Sequence, residues 1–222
     1  MRCNIRRSRW PAGLAIVLAG LTLAHATDVG LPPPSGPIAP RVAPVLGDDG
    51  LYHQSWFLLS FLDLRQDFRD AQGAGKRFAV LFEQRGCSYC ADLHTKVLAR
   101  KYINDYVRQN FAMLQLDLWG AREVTDFDGA VMKALAERWG ISFSPTIVFF
   151  KDELTGLDGK WGRELEAVER LALSFGHDTF YDLFVWVRQK VYERDGNFQR
   201  FHIARSAERA AMKADAERAG SN

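Results

Sequence analysis

Short apolar runs alternate with amphipathic stretches through the middle of the chain. Three β-prone runs predict strands, over residues 77–83, 111–118 and 146–150. Two stretches with apolar residues three and four positions apart predict helices, over residues 90–109 and 131–139. In the first helix, Leu93, Val97 and Leu98 are expected to point inward. The order βαβαβ indicates an α/β fold with helices on a central sheet.

The same patterns extend the fold in both directions. Trp56, Leu59 and Leu62 recur at helical spacing and predict an N-terminal helix that ends at the glycines of residues 73–75. After a turn-rich stretch at 154–162, the pattern of residues 164–173 fits a helix or a strand, and 166–172 are assigned to an antiparallel return strand on topological grounds. A final helix is predicted to begin at Asp178 or Thr179 and to cover the sheet. Its apolar face consists of Phe180, Leu183, Phe184, Val187 and Val191.

The first 26 residues have the layout of a secretory signal. Four arginines and no acid precede an apolar run that is short for a membrane span, and the run ends in Ala24-His25-Ala26. Cleavage before Thr27 would place the protein in the periplasm, with an uncleaved membrane anchor as the alternative. The formal charge of +2 less those four arginines becomes −2. No basic surface for nucleic acid is therefore indicated.

The rest of the chain divides into three parts. Residues 27–50 are rich in Pro and Gly and predict a linker. Residues 51–195 would form one domain with an N-terminal helix. The tail 196–222 is rich in Ala, Arg and Glu, and its alanines recur at helical spacing. A solvated helix is the favoured interpretation of the tail, and the alternative is a partner-docking element led by Phe198 and Phe201.

Two cysteines lie beyond the signal, in the stretch RGCSYC, where the first predicted strand gives way to a helix. A bridge between Cys87 and Cys90 closes too short a loop to stabilise the fold much. At a helix N-terminus, however, the dipole favours a thiolate and lowers the pKa of a cysteine from its free value of about 8.5. Cys87 is therefore the candidate nucleophile for disulfide exchange, and Cys90 the candidate resolving thiol. The alternative is a copper or zinc carrier that uses Cys87, Cys90 and His94.

Four motifs carry a family resemblance: the strand VLFEQ, the turn RGCSYC, LDLWG after the second strand, and WGISFSPTIVFF. Together they resemble the thioredoxin-fold proteins, and more narrowly the SoxW-type periplasmic thioredoxins associated with sulfur oxidation. The resemblance implies a three-layer α/β fold with a central mixed sheet and helical extensions at both ends. It also implies that Cys87 attacks, Cys90 resolves and Pro145 is cis. A cis bond there would turn the backbone of Ser144 toward an extended substrate.

The chain departs from ordinary thioredoxins around the dithiol. Gly86 precedes the first cysteine, Ser88-Tyr89 separates the pair, and Leu81 stands near the usual buried aspartate. Tyr89 is expected to line the partner surface. Glu83 and His94 are candidates for tuning the dithiol, although Glu83 could equally pair with Arg85 or Lys96, and His94 could be a satisfied polar residue on a helix flank.

The expected activity is that of a periplasmic thiol–disulfide oxidoreductase that reduces protein disulfides. The redox-active disulfide Cys87–Cys90 would serve in place of a cofactor, since neither a flavin nor a nicotinamide fingerprint is present. The resemblance implies electrons from a membrane electron carrier of the CcdA/DsbD type, and clients in sulfur oxidation or cytochrome c maturation. A disulfide oxidase or isomerase remains an alternative. The carboxylates at 117 and 126–128 lack a metal-binding pattern, so no metal site is expected.

Overall fold

The computed structural model describes residues 30–151, 171–172 and 176–220. The chain divides into two compact units after Gly30. All described residues except Gly30 belong to the second unit, which begins at Leu31. The predicted signal lies outside the described residues. No helix in the described part is long and apolar enough to cross a membrane.

The strands and helices alternate along the chain. The strands are β1 (Val45–Leu46), β2 (Tyr52–His53), β3 (Arg77–Glu83), β4 (Phe111–Asp117), β5 (Val124–Thr125), β6 (Val131–Met132), β7 (Thr146–Phe149) and β8 (Leu171–Ala172). The helices are α1 (Leu64–Gly73), α2 (Ser88–Asp92), α3 (Lys101–Asn110), α4 (Leu135–Arg138), α5 (His177–Arg188), α6 (Val191–Arg194) and α7 (Phe198–Gly220). A π-helical segment, Leu93–Val97, continues α2.

A four-stranded mixed sheet in the order β4-β3-β7-β8 forms the middle layer. β4 runs parallel to β3, whereas β7 runs antiparallel to β3 and β8 antiparallel to β7. All seven residues of β3 are buried, as expected of a central strand covered on both faces. The predicted mixed α/β sheet is confirmed. Of the predicted return strand, Leu171–Ala172 is described, and the turn at 154–162 lies outside the described residues.

Two apolar cores lie on opposite faces of this sheet because alternate residues of β3 point in opposite directions. Ala79 and Leu81 face one core, which the π-helical segment, α3 and α5 close. Phe78, Val80 and Phe82 face the other, which α1 and α4 close. The result is the predicted arrangement of helix layer, sheet and helix layer. Leu93, Val97 and Leu98 are buried, as the apolar spacing predicted.

The predicted N-terminal helix starts later than its apolar spacing suggested. Helix α1 begins at Leu64, because the Asp63 side chain accepts hydrogen bonds from the backbone N–H groups of Arg65 and Gln66. Residues 54–62 form no helix. Leu59 is fully exposed instead of lining a helical face with Trp56 and Leu62, so this part of the prediction is wrong.

Neither helix predicted within the βαβαβ unit forms over its whole predicted range. The helix expected over 90–109 becomes α2, the π-helical segment and α3, with a break at residues 98–100. The helix expected over 131–139 is reduced to Leu135–Arg138, because Val131–Met132 form β6, which pairs with β5 in a small antiparallel ladder.

Asp126 and Asp128, considered above for metal binding, both form ion pairs with Arg138.

Helix α5 covers the sheet as predicted but has a different start and end. Gly176 is its N-cap, and neither Asp178 nor Thr179 caps it. Eight consecutive residues from Phe180 to Val187 are buried, so α5 is enclosed well beyond one face. Val191 is buried too, but it belongs to α6.

The C-terminal helix α7 docks on the domain through charged side chains. Asp182 of α5 is fully buried and accepts hydrogen bonds from Arg205 Nε (3.1 Å) and Arg209 Nη2 (2.8 Å), and it lies 2.7 Å from His202 Nδ1. Arg205 is itself 1% exposed. The first half of α7 is therefore packed, contrary to the favoured solvated interpretation, while residues 215–220 are exposed.

The same arginines hold the segment that was predicted to be a linker. Arg205 donates to the carbonyl oxygens of Pro32 and Pro33, and Arg209 donates to that of Pro34 at 3.1 Å. Pro34 is buried. From Leu31 onward this segment lies against the domain and is not a free tether.

The buried charges of α7 generate a stability prediction. Replacing Asp182 by Ala removes the buried counter-charge of Arg205 and leaves only the exposed Glu208, 3.8 Å away, so we expect the free energy of unfolding to fall by about 3–5 kcal/mol. Lys213→Ala, on an 80% exposed side chain of the same helix, should change it by less than about 0.5 kcal/mol. Urea unfolding followed by circular dichroism measures both. Equal, small losses for the two variants would show that α7 is not held by Asp182.

Candidate active site

The two cysteines lie where β3 leads into α2. Gly86 has a φ of 72°, a left-handed conformation that favours glycine, and it turns the chain after the strand. Cys87 is the N-cap of α2, with its Sγ accepting a hydrogen bond from the backbone N–H of Cys90 at 3.1 Å. Cys87 and Cys90 form a disulfide. Cys87 is partly exposed and Cys90 is 5% exposed, an asymmetry that suits one attacking and one shielded sulfur.

The loop before β7 lies beside the dithiol. The peptide bond between Ser144 and Pro145 is cis, in agreement with the expectation. The carbonyl oxygen of Ser144 lies 3.7 Å from Cys87 Sγ. Thr146 Oγ1 donates to the carbonyl oxygen of Phe143 at 2.6 Å and fixes the loop at the start of the strand. Pro145 is buried, and the buried Ser144 hydroxyl has no hydrogen-bond partner in the part of the chain that the structure describes.

Three exposed aromatic side chains surround the dithiol and form what we call the aromatic rim: Tyr89, Trp119 and Phe143, which are 60%, 77% and 69% exposed. Tyr89 lies between the cysteines, and Phe143 directly precedes Ser144. Trp119 is held in place because its Nε1–H donates to Gln84 Oε1 at 2.7 Å, three residues before Cys87. From the sequence, only Tyr89 was predicted to line the partner surface. Trp119 and Phe143 were visible in their motifs, but the sequence alone did not show that they are exposed.

Glu83 and His94 lie together in the interior. Glu83 is 1% exposed and His94 is fully buried, with His94 Nε2 at 3.0 Å from Glu83 Oε2. Neither basic residue that was considered as a partner of Glu83 reaches it. Arg85 donates to the carbonyl oxygen of Asp49 at 3.0 Å, and Lys96 pairs with Asp92 at 2.8 Å. His94 is therefore a satisfied interior residue and does not lie on an exposed helix flank.

Sequence analysis missed the amides that complete this interior cluster. Gln54 Nε2 lies 3.3 Å from His94 Nδ1, Gln115 Nε2 donates to Glu83 Oε2, and Asn104 Nδ2 donates to Gln54 Oε1 at 3.1 Å. These residues come from separate parts of the chain. A single sequence carries no signal that would have grouped them.

The alternative metal site is not assembled in this conformation. Both ring nitrogens of His94 face protein partners, Glu83 and Gln54, so neither points at the cysteines. Among the described residues, no group of three or more His, Cys, Asp or Glu side chains is placed to hold a metal ion.

A cavity along β4 does not contain the dithiol. It has a volume of about 720 Å³ and lies between the outer edge of β4 and the segments that flank it, with Leu58, Gln115, Val124 and Lys133 among its lining residues. Cys87, Cys90 and Pro145 do not line it, and of these three residues only Cys87 is partly exposed. A partly exposed sulfur outside this cavity is accessible to a protein substrate.

Comparisons with known proteins found one matching family and several similar solved structures. Residues 64–159 match the family described as the thioredoxin-like domain. A thioredoxin-fold protein from Helicobacter pylori is 18% identical, with 60% of this chain and 82% of that chain covered and a TM-score of 0.44. A thioredoxin from Thermus thermophilus is 24% identical, covering 57% and 82%, with a TM-score of 0.42. A DsbH oxidoreductase is 14% identical, covering 65% and 95%, with a TM-score of 0.39.

No curated protein sequence is similar enough to count as a relative. The family match spans β3, the dithiol turn, β4, the cis-proline loop and β7, the parts that build the site. The described part of the chain therefore has the thioredoxin-like fold, with the disulfide Cys87–Cys90 just after its central strand β3.

Proposed function

We propose that this protein is a thiol–disulfide oxidoreductase that acts on protein cysteines. The observation that carries the proposal is the disulfide itself, which joins a partly exposed Cys87 to a buried Cys90 beside the carbonyl oxygen of Ser144. A bridge across two intervening residues contributes little to stability. Its position at a helix N-terminus, with Cys87 partly exposed, favours exchange with another protein.

In the reducing direction, the thiolate of Cys87 attacks one sulfur of a client disulfide and releases the other as a thiolate. The Cys90 thiol then attacks Cys87 in the mixed disulfide. The reaction ends with a Cys87–Cys90 disulfide in the enzyme and two thiols in the client. Two electrons have therefore passed to the client. The N–H of Cys90, which donates to Cys87 Sγ in the oxidised form, is placed to stabilise the thiolate of the reduced form.

The client binds across the surface around Cys87. The carbonyl oxygen of Ser144 faces the reactive sulfur and can accept a backbone hydrogen bond from an extended client segment. The aromatic rim offers apolar contact area at low cost in conformational entropy, because its side chains have only two rotatable bonds. Tyr89, Ser144 and Pro145 are therefore assigned to substrate binding, together with Trp119 and Phe143.

We place this activity in the periplasm, where the predicted signal would deliver it. The sequence carries neither a nicotinamide nor a flavin fingerprint, so an exported reductase of this kind would need electrons from elsewhere. The resemblance to SoxW-type thioredoxins supports a membrane carrier of the CcdA/DsbD type as the donor. The SoxW-like motifs support a client in sulfur oxidation. A net oxidase or isomerase role uses the same dithiol chemistry and differs in redox potential.

Trapping experiments test the order of attack. A Cys90→Ser variant cannot resolve the mixed disulfide, so we expect covalent client complexes that disappear on reduction. Cys87→Ser removes the nucleophile and should trap none. Non-reducing electrophoresis of both variants, expressed with their signal, makes the comparison. Complexes in Cys87→Ser but not in Cys90→Ser would reverse the assigned roles.

The aromatic rim predicts how affinity depends on the substrate. Trp119→Ala and Phe143→Ala should each raise KM for a disulfide-bonded protein such as insulin by roughly tenfold, since a buried interface aromatic contributes more than about 1 kcal/mol. Reaction with a small disulfide should be nearly unchanged. Ile203→Ala, which removes an exposed apolar side chain on α7, is the matched control. Equal effects on the large and small substrates would argue against client contact.

A further inference from the structure

Strand β4 lies at the edge of the four-stranded sheet, in the order β4-β3-β7-β8. The N–H of Leu58, which belongs to no strand, donates to the carbonyl oxygen of Met113 at 2.8 Å. The backbone groups of Met113 therefore point away from β3. Those of Gln115 and Asp117 point the same way, because alternate residues of a strand share a direction. Outward-facing groups on an edge strand are where another chain can add a strand.

Three of these outward backbone groups are free. Within the described ranges, neither the N–H nor the carbonyl oxygen of Gln115 has a hydrogen-bond partner, and the N–H of Asp117 has none either. The Gln115 side chain is held by other groups, since its Nε2 donates to the carbonyl oxygen of Tyr52 at 2.8 Å and to Glu83. Two donors and one acceptor thus remain along the edge for an extended chain.

The cavity of about 720 Å³ described above is lined by these two residues of the edge, Gln115 and Asp117. Buried apolar side chains form much of its wall, among them Leu62, Leu116 and Val124. Its volume is in the range of ligand pockets, about 300–1,000 Å³. A chain paired with β4 would point alternate side chains to opposite faces of the sheet, so some of them would enter this apolar space.

An exposed apolar side chain also lines the cavity. Leu59 is 98% exposed, although its loop is fixed on both sides. The Ser60 hydroxyl donates to Asp67, and the carbonyl oxygen of Leu62 accepts from the N–H of Thr125 at 2.8 Å. Leu62 has a φ of 64°, which a leucine adopts only with strain. The loop therefore holds Leu59 in solvent, where an apolar side chain of a partner can cover it.

The charged side chains that line the cavity favour an acidic occupant. Arg122 and Lys133 are exposed, and neither forms an ion pair or a side-chain hydrogen bond in the described part of the chain. Both carboxylates in the lining already have partners. Asp49 Oδ1 lies 3.0 Å from His53 Nε2, and Asp117 Oδ1 accepts from the backbone N–H two residues later at 3.0 Å. The two unpaired charges are therefore positive.

The cavity adjoins the aromatic rim. Strand β4 ends at Asp117, and Trp119 of the rim follows two residues later. Leu118 and Gly120, on either side of Trp119 in the chain, both line the cavity. A client that lies across the rim at Trp119 is therefore next to the end of the β4 edge. This continuity favours the client over an unrelated partner as the occupant.

We propose that the β4 edge binds an extended segment of the client protein, in which apolar and acidic residues alternate, as an added strand. This inference rests on the proposed function, because the client reaches the edge while it is bound at the dithiol. The backbone of the segment pairs with Gln115 and Asp117. Its apolar side chains enter the cavity beside Leu59, and its carboxylates lie near Arg122 and Lys133.

Substrates with and without a peptide tail test this preference. Each is a blocked cysteine in a mixed disulfide with thionitrobenzoate, and stopped flow follows release of the coloured thiolate by the reduced protein in a Cys3→Ser background. The tail is absent, a Val-Glu repeat or a Val-Lys repeat, on either side of the cysteine because a strand can add in either direction. We expect one Val-Glu tail to raise the second-order rate constant roughly tenfold, the effect of about 1.4 kcal/mol of binding energy. The Val-Lys tails should raise it less.

A charge reversal at the edge has a matched control. Lys133→Glu should lower the ratio of the Val-Glu to the Val-Lys rate constant, because it replaces an attractive charge by a repulsive one. Lys213→Glu makes the same change on an 80% exposed side chain of α7 and should keep the wild-type ratio. A ratio taken within each protein cancels any general change in the reactivity of the dithiol. Equal ratios in the two variants would overturn the assigned role of Lys133.

Amide hydrogen exchange tests the added strand directly. The Cys90→Ser protein is loaded through Cys87 with the preferred Val-Glu peptide as a stable mixed disulfide, and exchange is followed by NMR. The amides of Gln115 and Asp117 should exchange at least about tenfold more slowly than in the same protein loaded with the cysteine that has no tail, because pairing protects an amide. Unchanged exchange at both amides would overturn strand addition.

The outcomes separate the edge site from the exchange reaction. Equal rate constants for all substrates would overturn the edge site while disulfide exchange stands. Slow, concentration-dependent exchange of the Gln115 amide in the free protein would show that a second copy covers the edge, which also overturns the proposal. If wild-type protein loaded with the cysteine that has no tail never releases it by forming the Cys87–Cys90 disulfide, the proposed function fails as well.

Discussion

The hydrogen bond from the Cys90 backbone N–H to Cys87 Sγ is the contact on which the rest of the site depends. It places the first sulfur at the start of a helix, where unpaired amides favour negative charge. For that sulfur to lie there, β3 must end and turn within a few residues. Gly86 makes the turn in a conformation that other residues adopt only with strain. A strand end, a glycine turn and a helix start thus fix one reactive atom.

The sheet supplies the second half of the site. Because β7 runs antiparallel to β3, the start of β7 lies beside the end of β3, with Thr146 opposite Phe82. The Ser144–Pro145 bond immediately before β7 therefore reaches Cys87. The parallel strand β4 ends at the same edge and carries Trp119 just beyond it. Strand directions alone bring three separate loops around the dithiol, while the two apolar cores on either face keep β3 rigid.

Much of this arrangement could be predicted from the sequence, because buried strands and paired cysteines leave local signals. The β3 run, the dithiol turn and the proline before β7 are contiguous motifs, and they define the fold. The segment around Trp56 and Leu59 was wrongly predicted to be helical, because its apolar residues recur at helical spacing. The helix begins only after its N-cap, Asp63. The prediction for α7 was wrong for another reason. Its alanines suggested a solvated helix, whereas the helix is docked by ion pairs from Arg205 and Arg209 to Asp182. The Glu83 cluster draws on β3, β4, the π-helical segment, α3 and the segment before α1, and only tertiary structure brings these together.

The most direct test of the account is a redox titration of the wild-type protein against glutathione buffers, with Cys87 and Cys90 alkylated and counted by mass spectrometry at each point. The account predicts one reversible transition in which both cysteines change state together, as a two-electron couple requires. A midpoint near −270 mV would identify a reductant of thioredoxin strength, and one near −120 mV an oxidant. Cysteines that titrate independently, or a bridge that never opens in these buffers, would contradict disulfide exchange as the function of this site.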